Sequence, residues 1–290
     1  MRAKMKVLAV IVTYNRRDDL QHCISSLRKQ TLQDFDILVV NNGSTDGTKE
    51  YLDDEQGLIV IHQENLGGAG GFYAGQKYAM DHGYEWVWMM DDDGIPAPDQ
   101  LESLVAFASK TGRKFLNALV LDKDDHSRLS FYAGDWTVDK AKSVELITDF
   151  IHPFNGTFIH REVMEKAGLV KREMFIWGDE IELTMRYGKA GYEPCTVTHA
   201  IHYHPKEKGT TDVVLPGLLR REIMVKPKKL SKYYYRNLGY IHQVYYRPRW
   251  YKGLKPMVMY TLYYLRKLDF AEAIKVVRYY RRGLHNDYTD

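Results

Sequence analysis

Cysteine is scarce, with Cys23 and Cys195 the only two among 290 residues. Two thiols without zinc-site spacing exclude a disulfide scaffold and fit a reducing cytoplasm. Long apolar runs are missing as well. No window approaches the ~18 uncharged apolar residues of a spanning helix, so the chain is not expected to cross a membrane. Repeats and low-complexity tracts are absent, which argues against solenoids and disorder. The start resembles a signal peptide, with Arg2, Lys4 and Lys6 ahead of apolar residues. Val7 to Val12 is nevertheless too short, and no small-residue cleavage site follows. It reads instead as a first buried strand, and the sequons at Asn42 and Asn155 then carry no meaning. Net charge is also small, at +3, but the balance hides a split. Residues 220–290 hold 17 basic and 5 acidic side chains, a net of +12, against −9 for the first 219. The change of sign suggests two parts, 1–219 and a basic, helical C-terminal region 220–290.

Several nucleotide and catalytic motifs are absent too. No Gly-Lys-Ser/Thr marks a P-loop, and Gly68-Ala69-Gly70 meets Tyr73 where a dinucleotide fingerprint needs glycine. There is no His-Glu-x-x-His and no Ser or Cys nucleophile motif.

The first hundred residues alternate apolar runs with amphipathic stretches. Strands are expected at Val7–Thr13, Ile37–Val40, Leu58–Ile61 and Trp86–Met90, with helices near 17–29, 46–55 and 71–82. That rhythm predicts an α/β fold, a parallel sheet with right-handed crossovers. Ligands then sit beyond the carboxyl ends of the strands. Four polar or glycine-rich loops belong on that edge: Thr13 to Arg17, Asn41 to Gly47, Asn65 to Gly71 and Asp91 to Gly94. Glycine-rich backbone ahead of a helix near Phe72 suits close approach to a phosphate or sugar.

Asp91-Asp92-Asp93 ends an apolar strand, where successive carboxylates repel one another. Strand alternation sends Asp91 and Asp93 to one side. A hard divalent cation, Mg²⁺ or Mn²⁺, relieves the repulsion. Further along, shorter strands are expected near 116–121, 129–133 and 145–150, then a buried strand to Ile159 and a helix Arg161–Ala167. Trp177-Gly178-Asp179-Glu180 opens a helix to Tyr187. Capping accounts for two acids at a helix start, but the bulky aromatic and glycine beside them fit a catalytic carboxylate facing a substrate. His202 and His204 share one face of a strand, so either or both could ligate the metal that the aspartates call for.

Together, Val-Ile-Val-Thr-Tyr-Asn-Arg, Val-Asn-Asn-Gly-Ser-Thr-Asp, Asn-Leu-Gly-Gly-Ala-Gly-Gly-Phe, Met-Asp-Asp-Asp-Gly and Trp-Gly-Asp-Glu-Ile-Glu resemble the inverting family 2 glycosyltransferases of GT-A fold. The glycine run, triple Asp and Trp-Gly-Asp-Glu segment look most like bacterial galactofuranosyltransferases and their rhamnosyltransferase relatives. Residues 233–237, Tyr-Tyr-Tyr-Arg-Asn, are reminiscent of the same subgroup. The resemblance implies a metal-dependent transfer of a sugar from a UDP- or dTDP-linked donor to a glycan or polyprenyl-linked acceptor, in a polysaccharide pathway such as O-antigen synthesis. UDP-galactofuranose is the first expectation and dTDP-rhamnose the second. It implies that Thr13, Asn15, Arg16 and Asn42 surround the nucleoside, and that Asn65, Gly67 and Gly68 approach the diphosphate or sugar. Asp91 and Asp93 would hold the metal with His202, or alternatively His204, and Asp92 would lie nearer the donor sugar. Asp179 would be the base, with Trp177 and Glu180 on the acceptor side. Asn42 stands where many relatives carry an acid, which bears on uracil selection.

Two other classes compete with this reading. A glycoside hydrolase also needs paired carboxylates, but has no use for a nucleotide-binding edge. A module that binds nucleotide sugar without chemistry would share the fold.

In the C-terminal region, 13 of 22 tyrosines lie between Tyr233 and Tyr288, on helices expected near 229–246, 254–268 and 270–282. No recognition-module signature supports nucleic acid. Tyrosines at the headgroups and cations on anionic lipid would place the protein on the inner face of the membrane. Alternatively, the tyrosines pack a helical cap.

Overall fold

The computed structural model describes residues 5–131, 133–206, 211–215 and 221–289. The boundary expected at 219/220 lies outside them. The chain forms two compact units, one of residues 1–172 with 183–207 and the other of 173–182 with 208–290.

The first unit is built on β1 (Val7–Thr13), β2 (Phe35–Asn41), β3 (Ile59–His62) and β4 (Trp86–Asp91), hydrogen-bonded in the order β3-β2-β1-β4, all parallel. Every residue of β1 is buried, as expected for a central strand covered on both faces. Helix α1 (Arg17–Leu27) buries Leu20, Cys23, Ile24 and Leu27, a single helical stripe. Helix α2 (Thr48–Asp54) follows β2. Register aligns the strand ends: Thr13 pairs with Asn41, Asn41 with His62, and Val12 with Asp91.

The sheet continues as a mixed half. Short β5 (Ile95–Pro96) and helix α4 (Gln100–Thr111) precede β6 (Phe115–Asp122), α5 (Val138–Lys142) and β7 (Leu146–Thr148). Then come β8 (Asn155–His160), α6 (Arg161–Ala167), α7 (Asp179–Lys189) and β9 (Cys195–His204). β8 runs antiparallel to β4 and β6, while β9 runs parallel to β6 and antiparallel to β5 and β7. Pairing of β5 with β9 sets Pro96 against His202 and Ile95 against Tyr203. That short strand pair carries both histidines toward the triple aspartate. The strand expected at 129–133 is reduced to a single bridge between Leu121 and Leu129.

Helix α3 (Gly67–Asp81) begins four residues earlier than the sequence suggests. The glycine run is therefore helix rather than loop, and the reason is packing. A Cβ on Gly71 would meet Val12 Cγ1 at 2.4 Å, and one on Gly75 would meet Val10 Cγ1 at 2.3 Å. The glycines let α3 lie directly on β1. Gly67 alone takes a left-handed φ, at 71°.

In the second unit, β10 (Thr211–Leu215) and β11 (Arg221–Met224) pair antiparallel. Helices α8 (Ser231–Tyr245), α9 (Trp250–Arg266) and α10 (Phe270–Leu284) follow. Helix α9 runs through Pro256. The proline costs one backbone hydrogen bond in the second turn without ending the helix. Helices α8 and α10 cross at two glycines: a Cβ on Gly239 would lie 2.0 Å from Tyr280 O, and one on Gly283 1.9 Å from Arg236 O.

Tyrosines fill this unit. Tyr235, Tyr260, Tyr263 and Tyr264 are buried with Val214, Ile223, Ala273 and Val276. Their hydroxyls are satisfied inside: Tyr235 donates to Tyr264 at 3.1 Å, Tyr260 to Met224 O at 2.5 Å and Tyr263 to Asp212 at 2.9 Å. These rings are core, so the headgroup role expected of the tyrosines does not apply to them.

Candidate active site

At the carboxyl edge of the parallel strands, the loops after β1, β2 and β3 are tied together through side chains. Asn15, at a left-handed φ of 54°, accepts from Thr45 N at 2.7 Å, while its own N–H donates to Ser44 Oγ at 2.9 Å. Arg17 N donates to Asp46 at 3.1 Å. Asn42 is buried and fully engaged. Its Nδ2 donates to Gly67 O at 2.8 Å, and its Oδ1 accepts from Gln63 Nε2 at 2.8 Å and Leu66 N at 3.1 Å. Asn65 Oδ1 accepts from Gly67 N at 2.9 Å. Asn42 and Asn65 thus fix the start of α3, where Gly68 faces open space. Free N–H groups at a helix start favour an anion.

The triple aspartate closes the edge. Thr13 Oγ1 donates to Asp92 Oδ2 at 2.7 Å, Tyr14 N reaches the same oxygen at 3.4 Å, and Arg16 lies 3.4 Å from Asp92 Oδ1. Arg16 also pairs with Asp93. His204 Nε2 stands 3.2 Å from Asp93 Oδ1, an ion-pair distance without hydrogen-bond alignment.

These neighbours split the three carboxyl groups. Burial, then the charge of Asp93, pushes Asp91 up to about 8. Burial raises Asp92 to about 6 despite Thr13 and Arg16. Burial would raise Asp93 too, but His204 and Arg16 outweigh it and hold Asp93 at about 2. Burial opposes the charge on His204, and Asp93 overrides it, so that imidazole rises above its ordinary value. His202 is fully buried, and burial lowers it to about 3. It is therefore neutral. With Nδ1 donating to Gln100 Oε1 at 3.2 Å, Nε2 carries a lone pair. That nitrogen is buried without a hydrogen-bond partner, facing Gly94, where a Cβ would come within 2.3 Å.

The donor set fits a hard divalent cation. Two carboxylates and a neutral imidazole are suitable ligands, and Asp93 Oδ1 and His202 Nε2 are both buried and unsatisfied. Among the described residues no group of three or more His, Cys, Asp or Glu side chains is brought together closely enough to hold a metal ion by itself. A partial set is what Mg²⁺ or Mn²⁺ needs when a nucleotide's phosphates and water complete the shell.

Trp177, Asp179 and Glu180 belong to the second unit. Three of four consecutive residues there are left-handed: Phe175 (φ 66°), Trp177 (60°) and Gly178 (98°). A bulky residue at positive φ is uncommon and strained. One side chain holds this backbone: Asn237 Nδ2, on α8, lies 2.9 Å from Met174 O, 3.1 Å from Ile176 O and 2.8 Å from Trp177 O. Tyr288 donates to Asn237 Oδ1 at 3.1 Å, which points the amide nitrogen at the loop. Arg236 donates to Glu173 O at 3.4 Å, and Lys226 lies 4.8 Å over the Trp177 ring. Glu180 accepts from Gly178 N at 2.8 Å, so it caps the turn. Asp179 begins α7 and is buried, 5% exposed.

Residues 8–166 match glycosyl transferase family 2. The chain belongs to that family. Across 248 residues, 81% of each chain, it is 32% identical to galactofuranosyltransferase GlfT1 of Mycobacterium tuberculosis. A shorter stretch of 106 residues, 35% of this chain, is 35% identical to an undecaprenyl-phosphate mannosyltransferase of Micrococcus luteus. Solved structures share the fold. GalNAc-T7, crystallised with UDP, GalNAc and Mn²⁺, superposes with a TM-score of 0.59 at 18% identity, over 84% of this chain and 51% of its own. TarS 1–349 of S. aureus, in complex with UDP, gives 0.54 at 16% identity, over 96% and 92%. The fold is therefore GT-A, and this family 2 chain is a glycosyltransferase with similarity to galactofuranosyltransferases.

Within this glycosyltransferase, sequence reasoning missed two positioning side chains. Gln100, at the start of α4, fixes the His202 tautomer, and no local pattern announces it. Asn237 had a signal, the Tyr-Tyr-Tyr-Arg-Asn stretch, but its role emerges only from the three carbonyls it serves.

Proposed function

We propose that this glycosyltransferase moves galactofuranose from UDP-galactofuranose onto a lipid-linked glycan, in a divalent-cation-dependent single displacement with inversion. The observation that carries the reading is the convergence of Thr13, Arg16, the three aspartates and both histidines on one strand edge. The similarity to GlfT1 over most of both chains supports the sugar, and that to an undecaprenyl-phosphate mannosyltransferase supports a lipid-linked acceptor. Such an acceptor places the work at a bilayer surface, the inner face of the cell membrane.

In this proposal Thr13, Asn15, Arg16 and Asn42 form or brace the nucleoside pocket, while Asn65 and Gly67, hydrogen-bonded to each other, fix the helix start at which Gly68 approaches the diphosphate. Asp91, Asp93 and His202 would hold Mn²⁺ or Mg²⁺. His204, drawn toward its charged form by Asp93, is the less suited of the two imidazoles. The bound cation supplies Lewis-acid stabilisation of the departing diphosphate. Asp92 faces the donor sugar. Asp179 takes the proton of the acceptor hydroxyl as its oxygen attacks the anomeric carbon. Trp177 and Glu180 shape the acceptor side.

A donor panel tests this, with UDP-galactofuranose, UDP-galactopyranose and dTDP-rhamnose, Mn²⁺ and a synthetic lipid-linked acceptor, scored by product mass and anomeric configuration. An inverted galactofuranoside is expected. UDP binding without transfer from any donor would reduce the chain to a binding module, and a rhamnoside would reassign the sugar.

The Asn237 clamp gives a second test. Asn237→Leu removes the donor to three carbonyls, and a shift of the loop of about 1 Å would cost turnover on the order of 10²-fold. UDP affinity, set in the other unit, should be unchanged. Equal turnover in both proteins would leave the clamp without a role in transfer.

A further inference from the structure

In the second unit Tyr235, Tyr260, Tyr263, Tyr264 and Tyr280 lie within, while apolar side chains stand outside at helical spacing. On α9, Val258, Leu262 and Leu265 are exposed, and on α10 Phe270 and Ile274 are 58% and 67% exposed. Positions 258, 262 and 265 form one stripe, as do 270 and 274. A groove of about 720 Å³ runs between the helices, lined by Leu265, Phe270 and Ile274 and bordered by Arg278 and Arg281.

The charge around this patch has one sign. Residues 247–284 carry 10 Lys or Arg against two acids, Asp269 and Glu272. Both acids are engaged inside the unit: Asp269 pairs with Lys228, and buried Glu272 accepts from Ser231 at 2.5 Å. No carboxylate therefore stands exposed on either helix, whereas Lys252, Lys255, Arg278 and Arg281 do. No helix is long and apolar enough among the described residues to cross a membrane.

We propose that the outer face of α9 and α10 is a docking surface for an anionic lipid bilayer. Leu262, Leu265, Phe270 and Ile274 enter the acyl boundary, and the surrounding Lys and Arg side chains meet lipid phosphates. An aliphatic centre with a purely cationic rim matches a surface that is apolar below and negative above. A self-interface would place the same cations against one another. The surface stands on these two helices and is independent of the identity of the sugar.

Sedimentation of the full chain with phosphatidylcholine vesicles, with and without phosphatidylglycerol, tests the proposal. Binding should require the anionic lipid and weaken with salt. Leu262→Glu with Ile274→Glu should lower the apparent affinity by about tenfold or more, and Arg278→Gln with Arg281→Gln should weaken binding to anionic vesicles. All variants should melt like the parent and transfer normally to a short, water-soluble acceptor, which separates failure of the surface from failure of the transferase reading. Undiminished vesicle binding by Leu262→Glu/Ile274→Glu, or no binding by the parent chain, overturns the proposal. So does a dimer in light scattering that the same pair disperses, because a second copy would then cover the patch.

Discussion

Asp179→Asn should lower sugar transfer by about 10²- to 10⁴-fold, the usual worth of a positioned general base, with UDP affinity unchanged. Asparagine matches aspartate in shape and can still cap a helix, so it removes little but the ability to take a proton. Asp179 is the side chain to change because it is buried at the first position of α7. Steady-state kinetics with calorimetric UDP binding check the split. Near-normal turnover in Asp179→Asn would reduce the residue to a helix cap and return the search for a base to its start.

Asp91→Asn and Asp93→Asn should each lower transfer by at least about 10²-fold, the scale of several kcal/mol supplied by a bound cation, yet they should move stability in opposite directions. Asp91 has a folded value of about 8, above its unfolded value. It therefore destabilises the metal-free fold increasingly as pH rises through that window, and the penalty is full above about 8. Asparagine removes the penalty, so metal-free Asp91→Asn should melt higher at pH 7 than the parent. Asp93, at about 2, contributes stability above its unfolded value that is lost as pH falls through the folded one. Asp93→Asn should melt lower at pH 7. Metal uptake must also displace the proton on Asp91. At pH 7 Asp91 should release close to one proton per bound cation, and Asp91→Asn should lower the total release by that proton. Calorimetry in buffers of differing ionisation enthalpy measures it. Melting shifts of the same sign in both variants would contradict the assigned charge states.

Much of this was legible because it depends on local pattern. Continuous apolar runs such as Val7–Thr13 mark strands covered on both faces. Once those strands are parallel, the loops after them share an edge. The adjacency of three aspartates is likewise a statement about charge that needs no coordinates. What escaped depended on distance along the chain. The glycines of α3 looked like a loop because nothing local says that Val10 and Val12 would fill the space of a methyl group. The different surroundings of the two histidines depend on Gln100 and Asp93, which face different rings and are distant in sequence. Tyrosine and cationic composition alone suits a bilayer surface as well as a core, and only burial decides which residues face outward.

The contact of α3 with β1 has a consequence for how the nucleotide edge can vary. Gly71 and Gly75 leave no clearance above Val12 and Val10, so the helix is seated backbone against side chain. A methyl at either glycine would act as a wedge, tilting the helix away from the sheet. The lever arm ends at Gly67 and Gly68, whose amides belong to the same rigid rod. Ligand geometry at that edge is thus set partly by two residues that would never touch the ligand, and drift at positions 71 and 75 would alter affinity while every binding side chain stayed the same.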